Sequence, residues 1–87
     1  MSNPRILVDE IRSVLEEVGT SLLEENVQDA TELLEHGEWR VALSLICAQL
    51  YEYNVAISQE TYDQIECLGQ EMEMPFNEWS MLQSLVV

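Results

Sequence analysis

Lysine is absent from the 87-residue chain, and only Arg5, Arg12 and Arg40 carry a full positive charge. Nucleic acids and anionic membranes are held by Lys and Arg that neutralise phosphates, so neither is an expected partner. Cysteine is sparse as well: Cys47 and Cys67 are the only two, and no C-x-x-C pattern joins them. That removes a disulfide framework and the usual zinc spacing. Both cysteines fall in stretches that read as helix interior, so buried, reduced thiols in a cytoplasmic protein are the expectation. Gly19, Gly37 and Gly69 stand singly, which leaves no Gly-rich loop to cradle a phosphate. His36 is the only histidine, so no Cys/His or Ser/His/Asp set can be assembled for nucleophilic catalysis. In the last turn of a helix it reads instead as a partner for that helix's C-terminus. No apolar run approaches the ~18 residues of a membrane span. The opening MSNPRILVDEIR lacks the apolar stretch of a signal peptide.

What the chain has in abundance is negative charge. Seventeen Asp and Glu give a formal net charge of −14. With few apolar residues such a chain would be disordered, but 47% of this one is aliphatic, aromatic or cysteine, enough for a core without a metal or a disulfide. Residues 1–87 read as one domain whose charge sits on a folded surface, where self-repulsion costs stability. Solubility alone is the plain explanation of that acidity; a strongly cationic partner is the sharper one.

Asn3 and Pro4 read as cap and first residue of a helix. Leu7, Ile11, Val14 and Val18 follow at 4, 3 and 4 on one face, with Arg5–Asp9 and Arg12–Glu16 as possible outer pairs and Gly19 as the C-cap. Thr20 and Ser21 are capping candidates for a second helix over about 22–36, with Leu23, Val27, Ala30 and Leu34 inward. Gly37 supplies a turn through φ > 0. A third helix over 38–53 follows, apolar on most sides and therefore central, with Trp39, Leu43, Ile46 and Leu50 on one face and Val41, Leu45 and Ala48 on another. The short connection makes these two helices antiparallel neighbours. Val55 and Ile57 turn inward in an extended link. Ser58 caps a fourth helix running to about Met72 with Tyr62, Ile65, Leu68 and Met72 inward. Gly69 within it signals a close helix crossing or early fraying, and Met74–Pro75 ends the segment. A short final helix begins at Pro75 or Asn77 and turns Trp79, Leu82, Leu85 and Val86 inward. With no alternating strand pattern, the expected fold is all-α, a compact bundle of four helices plus a short C-terminal fifth.

Function is sought in the acids. Catalytic carboxylate pairs work from partly buried clefts, whereas Glu25, Asp29 and Glu32 lie opposite an aliphatic stripe and should be solvated. Glu-x-x-His motifs of di-metal bundles and the calcium loop D-x-[DN]-x-[DN]-G are both missing. A non-enzyme with no metal or other cofactor is therefore expected. Like charges at i,i+4 weaken a helix, so the stripe of Glu25, Asp29 and Glu32, extended by Glu35 and Glu38, is a candidate contact face. Tyr51 and Tyr53, around Glu52, are candidate aromatic anchors within it. The target class that fits is a cationic protein surface, above all the Lys- and Arg-lined cleft of a nuclease.

The run EHGEWRVALSLICAQLYEYNVAISQETYDQIECLGQEM bears a family likeness. It holds a helix ending in H-G-E-aromatic, an A-L-x-L core run, the link E-Y-x-V-x-I-S, and E-x-Y-x-x-I-E-x-L-G. These pieces resemble the small immunity proteins of bacterial polymorphic toxin and contact-dependent growth inhibition systems, in particular the MafI-like immunity proteins, over roughly residues 32–73. The resemblance implies a cytoplasmic protein that binds and neutralises a cognate secreted toxin domain, often an RNase or other nuclease, as a one-to-one inhibitor. The matched positions, among them Gly37, Trp39, Leu43, Ser58 and Leu68, serve a turn, a cap and a core, and so imply no contact site. An acidic interaction adaptor or small subunit without a toxin partner is the alternative.

Overall fold

The computed structural model describes residues 4–87, with side chains from Ile6 onward. The Asn3 cap and the Arg5–Asp9 pair lie outside the described residues. Five α-helices form the expected bundle: α1 Pro4–Val18, α2 Glu24–Glu35, α3 Trp39–Glu52, α4 Gln59–Glu71 and the short α5 Phe76–Ser80. A 3-10 turn, Gly19–Ser21, links α1 to α2, and a second one, Met81–Leu85, follows α5.

The core is what the helical spacing demands. Leu7, Ile11, Val14 and Val18 are buried on α1, joined by Leu15. Ile11, Leu43, Ile46, Leu50, Ile65, Leu68 and Leu82 lose essentially all solvent contact, each contributing roughly 1.5–3 kcal/mol of burial. Gln64 reaches across from α4 to donate to the Glu10 carbonyl on α1. The C-terminus is tied in by one parallel bridge between Ile57 and Val86, with the Ile57 amide donating to the Leu85 carbonyl and the Val87 amide to the Ile57 carbonyl.

Several expectations are corrected. Gly19 does not cap α1 in a left-handed conformation, since Gly37 alone among the glycines has positive φ; the chain runs straight on into a 3-10 turn. Neither Thr20 nor Ser21 caps α2. Leu23 takes the N-cap position with no side-chain bond, and Leu22 and Val27, the positions of a hydrophobic staple, are packed against the core instead. Leu23 therefore precedes the first turn and is 48% exposed rather than inward. The third helix is central as expected, packing against α1, α2, α5 and the C-terminal 3-10 turn, but it is not buried on every side. Its core face is Ala42, Leu43, Ile46, Cys47 and Leu50, while Val41 and Ala48 are exposed and Trp39 is half-buried. Cys47 is buried as expected, but Cys67 is exposed, because it falls on the outer side of α4 between the inward Ile65 and Leu68.

Helices α2, α3 and α4 end in the same way. Each stops at a left-handed residue, Gly37, Asn54 and Glu73 in turn. The following amide in each case reaches back to a carbonyl five residues earlier: Glu38 to Leu33, Val55 to Leu50 and Met74 to Gly69. This is the Schellman arrangement, and it satisfies carbonyls that a helix end otherwise orphans. The fourth helix thus stops at Glu73, ahead of the Met74–Pro75 pair. Glu73 is the costly member of the three, since a left-handed conformation disfavours a side chain by about 1–2 kcal/mol. Arg40 offsets this by donating from its guanidinium to the Glu73 carbonyl.

Ser58 does cap α4, its hydroxyl accepting from the Thr61 amide at 3.1 Å. Gly69 marks a close crossing and not a frayed end. The Trp79 indole lies on it so tightly that a Cβ there would fall 2.5 Å from Trp79 Cδ1.

Two glycine substitutions should therefore move stability in opposite directions in urea unfolding. Gly69→Ala is expected to lose about 1–2 kcal/mol, overpacking against Trp79 outweighing the gain in helix propensity. Glu73→Gly is expected to gain about 0.5–1 kcal/mol by removing the left-handed penalty.

Candidate partner-binding surface

The acidic face is built on the α2–α3 hairpin, the most extensive helix pairing in the molecule. Gly37, at φ 78°, reverses the chain. Near the far end, Asn26 Nδ2 donates to Gln49 Oε1 at 2.9 Å. A turn at one end and this cross-link toward the other make the two helices antiparallel and fix their register.

Glu25, Asp29, Glu32, Glu35, Glu38, Tyr51 and Tyr53 are all exposed, with Tyr51 at 52% and Tyr53 at 47%. The hairpin does not gather them into one cluster. Glu25 shares an end with Tyr51 and Tyr53, Glu35 and Glu38 lie at the Gly37 end, and twelve-residue α2 separates these ends by about 18 Å at 1.5 Å per residue. Asp29 and Glu32 share a concavity. They line a shallow cleft between α2 and α3 with Leu33, His36 and Leu45.

The acids are poorly placed for helix stability, which bears on why they are there. Glu24 and Glu25 suit the N-terminus of α2, but Glu32 and Glu35 crowd its C-terminal end, where no basic residue stands in the last turn. His36 Nδ1 lies 2.7 Å from the Glu32 carbonyl oxygen, the C-terminal role expected of it.

A second shallow cleft opens on the other side of α3, lined by Arg40, Val41, Ser44, Pro75 and Glu78. Phe76, next to Pro75 in sequence, is 70% exposed and packed edge-on against Trp79 with ring centroids 5.0 Å apart. Sequence reasoning missed these residues. Val41, Leu45 and Ala48 do repeat at 4 and 3, but a helix rich in apolar residues reads as buried on every side. Phe76 sits between a proline and an asparagine, with no periodic partner to flag it.

Among the described residues no group of three or more His, Cys, Asp or Glu side chains is arranged to hold a metal ion. Among the described residues no helix is long and apolar enough to cross a membrane. The Cys47 thiol is pushed up to about 12 by burial and, secondarily, by the Glu78 charge, so it stays protonated and unreactive at neutral pH. No family model, no curated protein and no solved structure matches the chain.

The two thiols should separate cleanly in a labelling experiment with a thiol–disulfide reagent near pH 8. Cys67 is expected to react at once and Cys47 only on unfolding; two equally fast thiols would contradict the burial of Cys47. The elevated Cys47 pKa favours the native state below the ordinary thiol pKa of ~9, and this advantage is lost as pH rises from there towards about 12.

Proposed function

We propose that the protein is a non-catalytic immunity protein that binds a cognate secreted bacterial toxin in the cytoplasm, one to one, and covers the basic surface of that toxin. An RNase or other nuclease is the toxin class whose phosphate-binding cleft best complements the acids. The observation that carries this reading is an acidic helix face with no basic counterweight: Glu25, Asp29, Glu32 and Glu35 are all exposed on α2, whose sequence EENVQDATELLE holds no Lys or Arg. Such a face raises association rates with a cationic partner by electrostatic steering, with rates that fall as salt is added. The likeness of residues 32–73 to MafI-like immunity proteins supports the same reading.

The test is growth rescue against, and co-purification with, the product of the adjacent gene, which this reading expects to be a secreted toxin. Wild-type protein is expected to protect cells and to form a one-to-one complex. The Glu25→Lys, Asp29→Lys, Glu32→Lys triple variant is expected to bind at least about tenfold more weakly with its helical signal intact, since charge pairs across such interfaces couple by a kcal/mol or more. Full protection by the folded triple variant would remove the α2 face from the proposal. Absence of any complex with wild-type protein would remove the toxin and leave an adaptor role.

A further inference from the structure

The two clefts flanking α3 are parts of one surface. Leu45 closes the first, and Val41, one turn earlier on the same helix, closes the second together with Ser44. An apolar strip bordered by charged residues therefore runs from Leu33 on α2, over Leu45 and Val41 on α3, to Pro75 at the α4–α5 corner, where exposed Phe76 follows in sequence. Val41 at 49% and Phe76 at 70% exposure are its most open members. Carboxylates stand at both margins, Asp29 and Glu32 on one side and Glu78 on the other. One guanidinium, that of Arg40, also lines the second cleft; it donates to the Glu73 carbonyl and keeps its positive charge, so the carboxylates outnumber it at these margins. An apolar centre with a polar rim is the anatomy of a protein contact, in which the centre provides affinity and the rim provides register.

We propose that this strip docks an amphipathic cationic helix of the partner. Its apolar side chains, at i, i+3 and i+4, lie along Leu33, Leu45, Val41 and Phe76, while Lys or Arg on its two flanks meet Asp29 and Glu32 on one side and Glu78 on the other. Charge selects this occupant. A second copy of the chain would bring another net −14 and set the same carboxylates against themselves, and nucleic acid and anionic lipid are repelled for the same reason. The inference rests on the reading of the protein as a binder of cationic partners, and it places the centre of the contact on α3 and the α4–α5 corner, with the acids of α2 as its rim.

The probe is a synthetic helical peptide of Leu and Lys, roughly 18 residues or five turns long, with its leucines on one face. Two controls carry the same charge: a scrambled peptide of identical composition and an oligolysine. Amide chemical shifts of the full chain are followed in about 0.15 M NaCl, where the Debye length is about 8 Å and diffuse attraction is screened. The amphipathic peptide is expected to bind saturably with its largest shifts at Val41, Ser44, Leu45 and Phe76, and more tightly than either control. Val41→Glu, at a solvent-exposed position, should weaken it by about tenfold although the variant is more acidic. Equal binding of all three peptides, shifts spread along the acids of α2, or unchanged affinity of Val41→Glu would overturn the proposal, as would a dimer formed through this face. A Val41→Glu variant that still protects against a toxin rejects the strip while leaving the immunity reading intact. Peptide docking on the strip without any toxin complex does the reverse.

Discussion

The constraint on which everything else depends is that fourteen uncompensated negative charges must be carried outside a core of about twenty side chains. Mutual repulsion among surface carboxylates favours expansion, and the opposing force comes from burial along α1, α3 and α4 and from close backbone closures at the helix ends. The repeated Schellman turns after α2, α3 and α4 fit this need. They satisfy carbonyls without basic side chains, of which the chain has few, and after α2 the turn at Gly37 lets α3 start at Trp39. Where a basic residue is used, it is used for the backbone: Arg40 holds the Glu73 turn.

The fold was largely legible because its signals are local and periodic. The 4-3-4 spacing of Leu7, Ile11, Val14 and Val18, the left-handed turn at Gly37 and the Ser58 cap each depend on a few neighbouring residues, and each is realised. The errors came where tertiary context decides. Nothing near Glu73 announces a left-handed residue, because Arg40 lies thirty-three positions away in sequence. On α2 the inward positions Val27, Ala30 and Leu34 hold, and only Leu23 differs, because it stands at the N-cap ahead of the first turn while Leu22 packs on the core. The choice at Gly69 between crossing and fraying required the position of the Trp79 ring.

The candidate surface was legible in its charge and not in its shape. Spacing alone places Glu25, Asp29 and Glu32 on one exposed face, and the structure keeps them there. Which acids border an apolar surface depends on how α2, α3 and the α4–α5 corner meet, and Asp29 and Glu32 of the expected set do so. The apolar content of α3 concealed its outer side: Leu45 packs against the core as expected and also edges a cleft, whereas Val41 is exposed. Charge and apolar strip together are the two features on which the proposal of a cationic partner rests.

The central claim is that the acids burden the fold and are present for an interaction. Urea unfolding of the isolated protein in NaCl from about 0.01 M to about 1 M, over which the Debye length falls from about 30 Å to about 3 Å, tests it most directly. The account predicts that the unfolding midpoint rises with salt as the repulsion is screened. A midpoint that stays level or falls would mean that the acids are compensated within the fold, and would contradict it.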